Sequence, residues 1–182
     1  MQVEHLALEL LIRGMELDVV TIMCIAAANY LIARTNEYNE GKDFREKIRM
    51  SGKRLQKLLY FSDIEYMKRY NSPMLNDEFY AWPSGPVIPS VYTRFIQYQS
   101  GEMRPAEGVH TPLKQEEREI LDLIFNNTIN VDTSKLVKAS HTEGGPWDCV
   151  YNEYDKDHKQ IISKDKMREF YENMNVRQML QV

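Results

Sequence analysis

The stretch KRLQKLLYFSDIEYMKR, residues 53–69, decides the fold. Its main apolar stripe recurs at helical spacing and consists of Leu55, Leu58, Leu59 and Tyr66. Much of the remaining helix surface is also apolar, with Tyr60, Phe61, Ile64 and Met67. A helix that is apolar on nearly every side is buried by several neighbours. The sequence therefore predicts a mainly α fold, a single compact helical domain built around this buried central helix.

A short aromatic segment, residues 78–82, follows the central helix and is bounded by turn residues, which is typical of a strand. The next residues, Pro83 to Pro86, form a predicted tight turn, and Val87-Ile88 is expected to pair back. Because proline lacks a backbone N–H, we expect the first strand to end at Trp82. The sequence therefore predicts a small β-hairpin around 78–88.

Further helices are predicted on both sides of this core. Thr111 and Pro112 suit an N-cap and a first helical residue, and Pro146 suits the first turn of a later helix with Trp147 and Tyr154 turned inward. The predicted helices begin at Leu17, Pro89, Thr111, Asp132 or Thr133, Pro146 and Ser163. We expect residues 17–182 to form a single domain and residues 1–16 to be an N-terminal extension or short helix.

The composition is that of an ordinary globular protein. The 182 residues are 43% apolar and 27% charged, with a formal net charge of -4, which argues against a strongly electrostatic nucleic-acid binder. The two cysteines, Cys24 and Cys149, form no CxxC pair or Cys/His cluster, so neither zinc nor a disulfide framework is indicated. The longest apolar run, residues 22–28, is too short to span a bilayer. We therefore predict a cytoplasmic protein with no membrane contact.

His141 is the strongest candidate for a catalytic group, because it lies in a Gly-rich turn beside Glu143. The alternative, which we favour, is that His141 anchors this turn by hydrogen bonds while Trp147 fills the core beneath it. Cys149 is expected to be an interior structural cysteine. Gly144-Gly145 lacks the wider motif of a nucleotide site. The sequence therefore predicts no catalytic residue, no cofactor and no metal site.

Three other features bear on binding. The basic run from Lys42 to Lys57 is expected either to contact an acidic protein or nucleic acid or to form a solvated face, which is the commoner explanation; its cations include Arg45, Lys47, Arg49, Lys53 and Arg54. Trp82 is either a core residue, which we favour, or an anchor that faces a partner. The loop 98–112 carries Tyr98, Met103, Pro105, Val109 and His110 in otherwise polar sequence. Because loops of this kind often carry binding, we expect any local specificity here and at the hairpin tip.

Three segments together resemble one known family. They are LQKLLYF at 55–61, FYAWPSGPVIPSVY at 79–92 and SHTEGGPW at 140–147. Their order and separation are similar to the Panacea antitoxin domain, also described as the phage-associated GepA-like or SocA-like family. The resemblance covers roughly residues 17–174, and Pro83 departs from it because a non-proline residue is expected there. The residues that carry the motif, as candidates for partner binding or for the fold, are Trp82, Gly85, Pro86, Tyr92, His141, Pro146 and Trp147.

The resemblance implies a role rather than a reaction. Members of this family look like antitoxins that neutralise a cognate protein toxin of a type II toxin–antitoxin system by direct binding, often in phages or prophages. The alternative from the residues themselves is a nucleic-acid-binding regulator of its own operon, and a weaker one is a hydrolase that uses His141. The toxin, its contact surface, the oligomeric state and the choice between masking the toxin and delivering it to a protease stay open.

Overall fold

The computed structural model describes residues 19–98, 103–109, 111–152, 154 and 157–181, with only the backbone of residues 19–21. The predictions for residues 1–16 lie outside the described residues. The described α-helices are α1 Val19–Asn39, α2 Gly52–Tyr70, α3 Pro89–Phe95, α4 Gln115–Thr128, α5 Thr133–Ser140, α6 Lys164–Tyr171 and α7 Val176–Leu180. The strands are β1 Phe79–Trp82, β2 Gly85–Val87 and β3 Ile161–Ile162, and short 3-10 turns lie at Phe44–Glu46 and Ile96–Tyr98.

Helix α2 lies at the centre of the fold. It begins at an N-cap, where the hydroxyl of Ser51 accepts a hydrogen bond from the Arg54 N–H, and it ends at Asn71 in the left-handed conformation. Every residue from Arg54 to Met67 is buried. The helix packs against each of the other six described helices and against β2. The predicted mainly α fold with a buried central helix is therefore confirmed.

The small sheet has the strand order β2-β1-β3, and both pairings are antiparallel. The hairpin register places Tyr80 opposite Val87 and Trp82 opposite Gly85, which confirms the predicted β-hairpin. The first strand ends at Trp82, as the proline at 83 requires. The third strand pairs Phe79 with Ile162 and was not predicted, because two residues are too short to show an alternating pattern.

Two predicted helix starts are wrong. Helix α4 begins at Gln115 rather than Thr111, because the Glu117 carboxylate accepts the Lys114 N–H at 2.7 Å and so sets the start of the helix. Pro146 opens no helix: residues 143–150 form an irregular turn. In that turn some backbone N–H groups donate to the carbonyl four residues earlier, as in an α-helix, and others donate to the carbonyl three residues earlier. Tyr154, which was predicted to turn inward, is 83% exposed.

Two other features of the helix ends were not predicted. Helix α3 ends at Phe95 and continues as a 3-10 turn to Tyr98. After α6, the short helix α7 begins behind an unpredicted N-cap, where the side chain of Asn175 accepts the Gln178 N–H. These differences lie at helix ends, where the capping side chain decides the boundary.

Candidate functional site

The second turn of α2 is tied to the hairpin by two consecutive side chains. The amide of Gln56 accepts the Ile88 N–H at 2.8 Å and donates to the Ile88 carbonyl at 3.2 Å. The Lys57 side chain runs beneath the hairpin turn, and its Nζ donates to the Pro86 carbonyl at 2.7 Å. The first two segments of the sequence motif are therefore in direct contact.

Gly85 shows why the turn needs a glycine. Its φ of +95° favours glycine, and an added Cβ would lie 2.7 Å from both the Lys57 Cε and the Ser140 Oγ. The turn backbone at Gly85 therefore lies directly against the side chains of both Lys57 and Ser140. This contact brings the third segment of the motif to the first two.

The third segment is held by a stack of rings. The His141 and Trp147 rings are parallel, with centroids 3.6 Å apart and planes 5° apart, and Tyr151 stacks on the other side of Trp147 at 4.4 Å. The Trp147 indole donates to the Trp82 carbonyl at 2.9 Å, so the stack is bound to the end of β1. We call the cluster formed by Lys57, Gly85, Pro86, Ser140, His141 and Trp147 the motif junction.

The two ionisable groups of the motif junction are both shifted by burial. Burial, with a smaller effect of Lys53, lowers the pKa of Lys57 to about 7. Burial, followed by the nearby Lys57, lowers the pKa of His141 to about 4, with Asp148 acting in the opposite direction. His141 is therefore neutral near pH 7, and its buried Nε2 has no hydrogen-bond partner among the described residues.

The nearby groups that a hydrolase would use are bonded to the backbone. The Ser140 hydroxyl donates to the Val137 carbonyl at 2.8 Å, and the Asp148 carboxylate accepts the Gly144 N–H at 2.9 Å. The turn is held by these bonds and by Thr142, whose carbonyl accepts the Gly145 N–H. His141 therefore stabilises the turn by stacking, not by the hydrogen bonds that we expected of it.

An open groove of about 440 Å³ lies beside the motif junction, between the start of α2 and the hairpin. Trp82 and Tyr92 line it and contact each other edge to face at 4.9 Å, and Trp82 is half-buried. Lys57 and Val87 lie at its base, and Lys53 is exposed at its rim. Of the seven motif residues, Trp82 and Tyr92 thus face the groove, while Gly85, Pro86, Pro146 and Trp147 are buried and His141 is half-buried.

The prediction of a solvated face along the whole basic run is wrong for two residues. Arg54 and Lys57 are buried, and the Arg54 guanidinium donates to the Thr128 and Val131 carbonyls at 2.6 and 2.7 Å. Both residues lie in the part of α2 that neighbouring elements cover on every side. The other cations of the run lie at the surface, with Lys42 half-buried and Arg45, Lys47, Arg49 and Lys53 exposed.

The loop around residue 105 is partly fixed to the helical body. The Asn29 amide accepts the Ala106 N–H at 2.6 Å and donates to the Ala106 carbonyl at 2.9 Å, and Met103 is buried in the core. His110 lies outside the described residues. Met103 is therefore a packing residue, and the part of this loop in toxin specificity stays a prediction.

The two cysteines differ in environment. Cys24 is buried in α1, and burial raises its pKa to about 12. Cys149 is exposed in the 143–150 turn, with its Sγ 3.4 Å from the Gly144 carbonyl. The expectation that Cys149 is interior is therefore wrong, because the segment turns at the surface instead of forming a buried helix.

Within the described residues, no helix has both the length and the apolar character that crossing a membrane requires. In that same part of the chain, no group of three His, Cys, Asp or Glu side chains is placed to hold a metal ion.

Comparison with known proteins gives one family. The family described as "Antitoxin SocA-like, Panacea domain" matches residues 55–148. A curated relative, Antitoxin SocA from Caulobacter vibrioides (strain NA1000 / CB15N), is 32% identical over 116 residues, which cover 58% of this chain and 62% of the relative. The chain thus spans less than two thirds of that relative's length. No solved structure matches significantly.

Proposed function

The chain belongs to the SocA-like antitoxin family with a Panacea domain, and on that premise we propose that it is an antitoxin. It acts in the cytoplasm as a non-catalytic protein and neutralises a cognate protein toxin by direct contact, in a type II system of phage or prophage origin. The name of the Caulobacter relative supports the antitoxin role.

The observation that carries this proposal is where the family match falls. Residues 55–148 begin in α2, include the hairpin and end one residue after Trp147. This range contains every residue of the motif junction. The family match therefore spans the three segments whose contacts hold α2, the hairpin and the 140–147 turn together.

The geometry favours binding over catalysis. The polar groups of the motif junction are buried or bonded to the backbone, so they hold the fold in place. Trp82 and Tyr92 present aromatic surface in the adjacent groove, and such residues are enriched at binding hot spots. We propose that Gly85, Pro86, His141, Pro146 and Trp147 maintain the scaffold, and that Trp82 and Tyr92 are available to a partner.

Co-expression with the product of the adjacent gene tests the antitoxin role. We expect that product to arrest growth when expressed alone, and growth to be restored when this chain is co-expressed and co-purifies with it. A Gly85→Trp variant, which cannot fit against Lys57 and Ser140, is the matched loss-of-fold control. The proposal fails if the neighbouring product is harmless alone or stays lethal in the presence of this chain.

A second candidate is a nucleic-acid-binding regulator, and the exposed Arg45, Lys47 and Arg49 favour it. Binding to the upstream DNA of the operon would then weaken steeply as salt is added, because counterions are released from the phosphates. Absence of DNA binding at low salt removes this candidate.

A further inference from the structure

A short loop, residues 40–47, projects between α1 and α2 and is fixed at its base. The side chain of Asn39 accepts the Ile48 N–H and donates to the Ile48 carbonyl, both at 2.8 Å. Ile48 and Tyr38 pack against the core on either side of this clamp. Inside the loop, the Glu46 N–H donates to the Asp43 carbonyl and closes a 3-10 turn. We call residues 40–47 the Phe44 loop; its shape is held by these bonds.

The tip of the Phe44 loop presents a whole phenylalanine to solvent. Phe44 is 92% exposed, and the 3-10 turn Phe44–Glu46 contains no buried residue. Clefts of about 650 and 530 Å³ flank the loop, the first beside the end of α1 and the second beside residues 129–133. The loop is therefore a ridge, and its most apolar side chain contributes almost nothing to the core.

Charged side chains of both signs lie next to Phe44 in the sequence. Exposed Arg45, Lys47 and Arg49 follow the phenylalanine, and exposed Asp43 and Glu46 lie among them. Charges placed in this way attract an oppositely charged partner surface and fix its orientation.

The two acidic residues of the tip decide between a protein and a nucleic acid. Asp43 precedes Phe44 directly and Glu46 lies two residues after it, and both are exposed. These two exposed carboxylates repel a phosphate backbone. On a protein, the same ring can enter an apolar pocket while the arginines and lysine pair with carboxylates at its rim.

We propose that the Phe44 loop is the element by which this chain docks onto its toxin. Phe44 fills an apolar pocket on the toxin, and Arg45, Lys47 and Arg49 face acidic residues around that pocket. This inference rests on the proposed antitoxin function. It places a contact on the loop before α2, in addition to the groove lined by Trp82 and Tyr92.

Binding of purified wild type and variants to the purified product of the adjacent gene tests the docking element. Phe44→Ala should weaken binding roughly 30-fold or more, as truncation of an aromatic anchor does. The double variant Arg45→Glu/Lys47→Glu should slow association and reduce its dependence on salt. Tyr154→Ala, another exposed aromatic, and Lys166→Glu, another exposed cation, are the matched controls and should bind like wild type.

Each outcome is informative because Phe44 lies outside the core, so the thermal stability of the variants should equal that of wild type. If wild type binds and Phe44→Ala binds equally well, the docking inference is wrong while the antitoxin function stands. A Phe44→Ala variant that keeps toxin binding but loses binding to upstream DNA also overturns it, in favour of a nucleic-acid contact. Failure of wild type to bind or neutralise the product overturns the proposed function and this inference together.

Discussion

Lys57 carries an ionisable group inside the molecule, where the residue is 1% exposed. Removing an ammonium from water is costly unless its charge is compensated or lost. Here the Pro86 carbonyl accepts one hydrogen bond, and the pKa near 7 leaves the amine partly neutral around that pH. Because the lysine end occupies the space beneath the turn, residue 85 has no room for a side chain.

Gly85→Ala should therefore destabilise the fold more than backbone strain alone explains. The positive φ costs about 1–2 kcal/mol for a residue with a Cβ, and forcing a methyl against Lys57 and Ser140 adds about 1–3 kcal/mol. Gly144 is the matched control, because its φ is +69° and an added Cβ meets nothing within 4 Å. Chemical denaturation should show the larger loss of unfolding free energy for Gly85→Ala; equal losses would show that the contact with Lys57 relaxes freely.

His141 should make the stability depend on pH in a defined window. Its pKa is about 4 in the folded state against an ordinary 6.5, so between these values the unfolded chain binds a proton that the folded chain does not. The free energy of unfolding contributed by this residue therefore falls as the pH drops from 6.5 to about 4. His141→Phe keeps a ring against Trp147 and removes the titration.

The measurement is the unfolding free energy of both proteins across that window. The difference, His141→Phe minus wild type, should grow as the pH falls, while carboxylates that titrate in both proteins cancel. A constant difference would mean that His141 has an ordinary pKa in the folded chain. Loss of toxin neutralisation without loss of stability in this variant would instead favour a direct role of the imidazole.

At the scale of elements, Arg54 joins the start of α2 to the end of α4. Its guanidinium donates to the Thr128 and Val131 carbonyls, at the end of α4 where backbone acceptors lack helical partners. A planar group with several donors suits this position, because it bonds two carbonyls at once. The contact fixes α4 against α2 next to the Phe44 loop.

Arg54→Met should lower the free energy of unfolding by about 2–4 kcal/mol, since two buried carbonyls lose charge-assisted hydrogen bonds. Lys53→Met is the matched control, because Lys53 is the exposed neighbour in the same helical turn. It should change the stability by less than about 0.5 kcal/mol, as surface substitutions do. Similar effects of the two variants in urea denaturation would contradict the role of Arg54.

The elements that the sequence predicts well are those with a signal of their own. The stripe of α2 and the Trp82–Pro86 turn are local patterns, so both were predictable. Strand β3 forms by pairing with β1, and α4 begins where the Glu117 carboxylate accepts the Lys114 N–H. The burial of Lys57 depends on the hairpin covering it, which no local pattern records.

At the scale of the whole molecule, one helix organises the rest. Each of the other described helices, and β2, packs on α2. The site follows the same plan: α2 supplies Lys57, the hairpin supplies Gly85 and Pro86, and the end of α5 supplies Ser140. The Phe44 loop precedes α2 in the sequence. Its base at Ile48 is bonded to Asn39 at the end of α1, so the helices that pack on α2 also hold the proposed docking surface.

This arrangement predicts that the described part of the chain unfolds as one cooperative unit. Trp82 and Trp147, the two tryptophans of the sequence, are hydrogen-bonded to each other at the sheet, so fluorescence reports the hairpin and the 140–147 turn. Far-ultraviolet circular dichroism reports the helices. Because α2 contacts both regions, the two signals should give coincident denaturation curves with one midpoint.

An earlier fluorescence transition would mean that the hairpin and turn detach before the helices separate. The contacts of Gln56 and Lys57 with the hairpin would then contribute little to cooperativity. In that case Gly85→Ala should shift only the fluorescence transition, whereas in a cooperative fold it shifts both curves equally.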